Sequence, residues 1–203
     1  MQRRHHWQHL IPYAGLALWV FVGDQLSKYW AVARLTQAFA YLSPETPWLQ
    51  KLSIFLWKQH PLPAEIVTVM RHFWHYRYVE NPGAAWGVLS GSASALRTPF
   101  FLVISIFAMG FILTYFRRSE AHQRLLRVGL SLVFGGAIGN FCDRLRLGYV
   151  IDFIDWHWYQ KATWPTFNVA DAGISIGVIL LLLDMVSTPQ PTGRVSLEES
   201  SEL

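Results

Sequence analysis

Cysteine and charge are what this 203-residue sequence has least of. There is one cysteine, Cys142, so no disulfide framework and no zinc site built on paired thiolates is available. Asp, Glu, Lys and Arg together make up 15% of the chain, against about 25% in an average soluble domain. A soluble protein of this size needs a more polar surface. The net charge of +4 arises from 17 basic and 13 acidic residues without a dense basic tract, which argues against nucleic acid as a partner. Other signatures are missing too. There is no G-x-S-x-G element for serine hydrolysis and no H-E-x-x-H metal motif. No motif calls for a cofactor. What is abundant is apolar: 52% hydrophobic residues, 15% aromatics and ten Trp, which excludes disorder.

The apolar residues fall into four long stretches, at about 10–35, 99–116, 125–142 and 170–186. Each approaches the ~20 residues that a helix needs to cross a bilayer. The second has no charged residue, and it and the fourth lack the polar face that a buried helix of a soluble bundle would show. The reading is an all-α polytopic membrane protein of four transmembrane helices, a single membrane domain over 1–203. The first stretch imitates a signal peptide, with Arg3 and Arg4 before it and Ala31-Val32-Ala33 after it. Asp24 and Lys28 interrupt that pattern, and the run is long enough to span, so a retained helix is expected. Arg3, Arg4 and the Arg117, Arg118, Arg124, Arg127 group mark the cytoplasmic side by the positive-inside rule.

Two outer loops follow from this topology, 36–98 and 143–169. Each holds a strand-like run, HFWHYRYVE at 72–80 and GYVIDFIDW at 148–156, so a small extracytoplasmic β-sheet platform is expected. Trp74, Trp86, Trp156 and Trp158 suit headgroup depth there. The stretch from about 37 to 71 is read as an interfacial helix over a cleft, or an insertion. The polar end, 188–203, is read as a disordered tail.

Acids at membrane depth are costly and usually functional. Five of the six Asp, namely Asp24, Asp143, Asp152, Asp155 and Asp171, gather toward the outer face, whereas Asp184 reads as a boundary residue. Two neighbouring carboxylates can share a proton, one acting as base on a water while the other protonates a carbonyl. The residues alone leave two classes open. One is a carboxylate-pair enzyme; the other is a transporter or ion pathway using Asp24, Lys28 and Asp171. A transporter predicts charges at span centres and an inverted repeat, and neither is seen. A non-catalytic scaffold leaves the acids surplus. Asp143 beside Arg144 reads as an ion pair, and Asp171 as a helix N-terminal acid. His5, His6 and His9 stand without a further ligand. Cys142 reads as a packed small residue, and 135–139 as close helix packing.

Five motifs taken together resemble the lipoprotein signal peptidase (signal peptidase II) family: DQLSK at 24–28, NPGAAWG at 81–87, GGAIGNFCDR at 135–144, GYVIDF at 148–153 and FNVAD at 167–171. They occur in the family's order. The resemblance implies an aspartic endopeptidase of the bacterial cytoplasmic (inner) membrane with Asp152 and Asp171 as its catalytic pair. It implies that Asp24, Lys28, Asn81, Gly83, Asn140, Asp143, Arg144, Asn168 and Ala170 support the site or bind substrate. The substrate implied is a prolipoprotein carrying diacylglycerol on its lipobox cysteine, cut just before that cysteine at the extracytoplasmic face. Membrane lipids and globomycin-like cyclic peptide inhibitors are the other implied partners, and no metal or cofactor is implied. Trp86 stands where the family usually has Phe. The helix N-terminus at Asp171 favours its ionised form, which makes Asp171 the expected base and Asp152 the protonated partner.

Overall fold

The computed structural model describes residues 10–60, 65–83, 94–159 and 161–187. The tail at 188–203, the N-terminal histidines and Trp86 lie outside the described residues. In chain order the elements are α1 (Ile11–Leu35), α2 (Trp48–Trp57), β1 (Val67–Met70), β2 (Trp74–Asn81), α3 (Ser94–Arg118), α4 (Arg124–Leu147), β3 (Val150–Trp158), β4 (Ala162–Thr163) and α5 (Val169–Ser187).

Three described helices are long and apolar enough to cross a membrane: Leu96–Arg118, Arg124–Leu147 and Val169–Ser187. Helix α1 has 25 residues, but Asp24, Gln25 and Lys28 lower its hydropathy and it is not among the three. Its buried residues are Ala17, Val20, Asp24, Lys28, Ala31, Val32 and Leu35. That spacing draws one stripe along a helix. The opposite side exposes Leu18, Trp19, Val22, Leu26 and Trp30. Helix α1 is thus inverted relative to a soluble helix, with Asp24 and Lys28 inside and its large apolar residues outside. Helices α3 and α5 likewise expose Phe107, Phe111, Ile179 and Leu182. So much exposed apolar surface marks a lipid-facing exterior.

Helix α4 is central and packs against α1, α3 and α5. Small residues make the close approaches possible. A Cβ at Gly129 would lie 2.9 Å from the Gly177 carbonyl oxygen, and one at Gly177 would lie 2.7 Å from that of Gly129. The α4–α5 backbones touch there, as membrane helices with small interface residues do. Helix α4 also runs to Leu147, beyond the apolar stretch that ends at 142, and stops where Gly148 adopts φ 82°. Asp143 and Arg144 therefore stand on a helix, not in a loop. Arg127 is buried rather than solvated. Its Nε donates to Ser119 Oγ at 3.0 Å and its Nη2 to the Ser119 carbonyl at 2.7 Å, closing the α3–α4 turn.

The strands form one antiparallel sheet of order β1-β2-β3-β4. The two strand-like runs of the sequence are its central pair, β2 and β3. Helix α2 adds Phe55 to a core of Ala31, Val32, Leu35, Tyr78, Tyr149, Ile151 and Phe153 beneath the sheet. Arg146 donates to the Phe55 carbonyl at 2.9 Å and lies over its ring, which ties α2 to the end of α4. The helix expected in 37–71 exists, but it belongs to this core.

Candidate functional site

The site forms where α1, α4, β3 and the start of α5 meet. Phe167 is pulled beside β3: its N–H donates to the Ile154 carbonyl at 3.0 Å, and its own carbonyl accepts from Ile154 at 2.8 Å. This places Asn168 immediately before α5. Asn168 Oδ1 accepts the Asp171 N–H at 2.9 Å, and Asp171 Oδ2 accepts the Asn168 N–H at 3.2 Å. The pair is a reciprocal cap of the helix N-terminus. The next free donor there, the Ala170 N–H, goes to Asp24 Oδ1 at 2.9 Å. An acid on α1 thereby completes the cap of α5.

Asp24 belongs to a fully buried charge cluster. Lys28 Nζ lies 2.8 Å from Asp24 Oδ2 and 2.8 Å from Asp143 Oδ2. It also donates to Asn140 Oδ1 at 3.0 Å. Arg146 Nη2 reaches Asp143 Oδ1 at 2.7 Å. Asp143 thus pairs with Lys28 and Arg146, not with its neighbour Arg144. Successive helix residues diverge by about 100°, whereas residues three apart share a face. A Cβ at Gly139 would collide with the Asp24 carboxylate, so only glycine lets α4 pass that acid. Burying three such charges is tolerable because each has an opposite partner and further hydrogen bonds.

From this base the amides reach the two outer carboxylates. Asn140 Nδ2 donates to Asp171 Oδ1 at 2.7 Å. Asn168 Nδ2 donates to Asp152 Oδ1 at 2.7 Å and to Asn140 Oδ1 at 3.1 Å. Asn81 Nδ2, from the end of β2, donates to Asp152 Oδ2 at 2.9 Å, and its Oδ1 accepts the Gly83 N–H at 3.0 Å. Arg144 Nη2 donates to the Gly83 carbonyl at 3.2 Å. Asp152 and Asp171 line one cleft of about 740 Å³, together with Asn81, Gly83, Asn140 and Arg144. Burial pushes the Asp152 carboxyl up to about 7, with the Asp171 charge adding to the rise and the Asn81 amide opposing it. The cleft walls are otherwise largely apolar, with Trp156, Phe167, Ile174 and Ile176 among them. None of the described residues between 36 and 71 lines it, so α2 does not lie over this cleft.

All eleven residues singled out in the sequence are brought into this network or its cap. Gln25 and Arg146 were not foreseen. Gln25 donates to Asp143 Oδ1 at 3.3 Å and accepts from Arg146 Nη2 at 3.3 Å. The only sequence signal for Arg146 is its place three residues after Asp143 in the last helical turn. Asp155 faces away from the cleft group and is paired with Arg77.

Residues 16–187 match the family model described as signal peptidase (SPase) II. The chain belongs to the signal peptidase II family. Among its relatives, a lipoprotein signal peptidase of Anaeromyxobacter sp. (strain Fw109-5) is 49% identical over 164 residues, 79% of this chain and 77% of that protein. One from Moorella thermoacetica is 37% identical over 184 residues, 91% of this chain and 99% of that protein. A bacterial membrane enzyme solved by the in meso method at 2.3 Å resolution superposes with a TM-score of 0.64 at 27% identity, covering 95% of this chain and 94% of the other. As a member of the signal peptidase II family, the protein is a multi-pass membrane peptidase of lipoprotein processing. The transporter alternative finds no support among these relatives.

Proposed function

We propose that this protein removes the signal peptide from diacylglyceryl-modified bacterial prolipoproteins by aspartic catalysis, cutting before the lipidated cysteine. The observation that carries the reading is the pairing of Asp152 and Asp171 in one cleft, each oriented by side-chain amides, with Asp152 raised to about 7. Two carboxylates so placed favour a state with one proton between them. Asp152 is buried whereas Asp171 is only half-buried, and burial raises the Asp152 carboxyl to about 7, so Asp152 holds the proton and Asp171 acts as the base. Asp171 takes a proton from water as the water oxygen attacks the scissile carbonyl carbon. Asp152 gives its proton to the carbonyl oxygen. When the tetrahedral intermediate collapses, the C–N bond breaks, Asp171 returns a proton to the leaving amine, and Asp152 regains one from the intermediate's hydroxyl. Arg144 and Gly83, at the cleft wall, bind the substrate backbone.

Helix α1 serves as the fourth span. Its 25 residues reach about 37 Å at 1.5 Å per residue, enough for a hydrocarbon core of about 30 Å. The chain forms a single domain in the bacterial inner membrane, with the basic α3–α4 turn cytoplasmic and the sheet and cleft extracytoplasmic. A lipid-anchored substrate enters sideways from the bilayer, and exposed Trp156 and Trp158 suit the headgroup layer.

The direct test is a gel-shift assay with purified protein and a lipidated prolipoprotein, with and without globomycin. The expected result is a smaller product that depends on lipidation of the substrate and is blocked by the cyclic peptide. Processing of the unlipidated precursor at an equal rate would count against this function. The same assay reads the protonation state. Asp152 must hold its proton, and its pKa is raised to about 7, so kcat is expected to fall as the pH rises above about 7. A rate that stays level from about pH 6 to about pH 9 would remove Asp152 as the acid.

A further inference from the structure

Outside the cleft, three ligating side chains converge on the sheet. His75 of β2 and Asp155 of β3 are directly opposite in register. His157 follows Asp155 by two residues on the same strand. Side chains alternate along a strand, so this register sets all three on one face. Their ligating atoms lie within 4.8 Å of one another, and the two imidazole centroids are 4.2 Å apart.

We infer that His75, Asp155 and His157 form a binding site for a divalent transition ion of the zinc class, clamping β2 to β3. Two imidazoles and one carboxylate are a donor set that zinc takes with a fourth position left to water. The carboxylate is already shaped for this. Asp155 is 8% exposed, and its Oδ1 is buried without a hydrogen-bond partner. A buried carboxylate oxygen without a partner is costly, and a metal bond would satisfy it. The other oxygen, Oδ2, lies 3.3 Å from Arg77 Nε. That pairing orients the carboxylate from outside the coordination shell, as such partners do in metal sites. Tetrahedral ligands at about 2.0–2.1 Å from zinc sit roughly 3.3 Å apart, so the two half-buried imidazoles close the gap by rotating their side chains. The site is separate from the carboxylate pair, although β3 carries both Asp152 and Asp155.

The experiment uses the full chain, purified in detergent without a histidine tag and with His5, His6 and His9 replaced by Gln to remove competing imidazoles. Zn²⁺ alone is titrated calorimetrically, and Co²⁺ is added as a spectroscopic probe. The expected result is one equivalent bound and a Co²⁺ absorption spectrum of low-coordinate nitrogen and oxygen ligands. His75→Ala and His157→Ala should each weaken Zn²⁺ binding at least as much as the ~10–100-fold that loss of an outer partner costs. Prolipoprotein cleavage by these variants shows that they remain folded. No stoichiometric binding by the parent, or equal binding by both variants, would overturn the assignment. Should a variant fail to fold, X-ray absorption of the zinc-loaded parent decides: two imidazoles in the shell support the site, and none rejects it.

Discussion

Asp152→Asn and Asp171→Asn are each expected to reduce kcat for lipidated prolipoprotein by at least about 10²–10⁴, the range that a positioned acid or base contributes. The double variant should be little worse than either single one, because groups that act as a unit fail together. Stability must be measured alongside. Both Asp152 oxygens accept amide N–H groups, from Asn168 and from Asn81. Both Asp171 oxygens do likewise, from Asn140 and from the Asn168 backbone. An Asn at either position turns one acceptor into a donor facing a donor, a mismatch of about 1–3 kcal/mol. The loss of rate must therefore appear in protein that still inserts and melts cooperatively in detergent. Near-normal turnover in either variant would sink the dyad. Catalytic loss without the expected small drop in melting temperature would sink the hydrogen-bond account.

Lys28→Met should destabilise the protein more than any substitution at the cleft. It removes the cation between Asp24 and Asp143, both fully buried, and leaves Asp24 with no basic partner among the described residues. Breaking a buried ion group by deleting one member costs about 3–5 kcal/mol. That is a large part of the ~5–15 kcal/mol that holds an ordinary domain together. The expected outcome is poor accumulation in the membrane and a melting temperature far below the parent's. Adding Asp24→Asn to Lys28→Met should recover part of the loss, since Asp143 keeps Arg146 and the Asn can still accept the Ala170 N–H. A normal melting temperature in Lys28→Met would show that the cluster is not structural.

Both outcomes depend on a part of the molecule that is unevenly legible in the sequence. The apolar runs at 99–116, 125–142 and 170–186 became helices α3, α4 and α5 because a helix satisfies its own backbone hydrogen bonds in lipid, and the one proline, Pro99, falls near the start of α3. The runs at 72–80 and 148–156 became β2 and β3 because aromatic and β-branched side chains suit a pleated surface. Strand β1, four residues long, carries too little pattern to be read, and its pairing with β2 is a tertiary matter. The end of α4 is not legible in the sequence for a related reason. Asp143, Arg144 and Arg146 look like the start of a polar loop, yet Asp143 is neutralised inside the bundle by Lys28, a residue more than a hundred positions away. Local polarity cannot reveal that. The pairing of Asp143 with Arg144 failed in the same way, since adjacency in sequence is not adjacency on a helix.

By itself the sequence determined a membrane-embedded class, the positions of the apolar helices, two strands of the sheet, and a short set of acids and amides ordered like those of one family. These are properties of local composition and spacing, which a chain carries before it folds. Tertiary structure alone decided how each acid is surrounded. Asp24, Asp143, Asp152 and Asp171 have the same side chain. Packing sets Asp24 and Asp143 around Lys28 as a sealed support, and opens Asp152 and Asp171 to a cleft with amide donors on each. It also turns Asp155 onto another face beside His75 and His157. Charge, burial and hydrogen bonding depend on neighbours brought from distant parts of the chain, and those neighbours exist only in the folded protein.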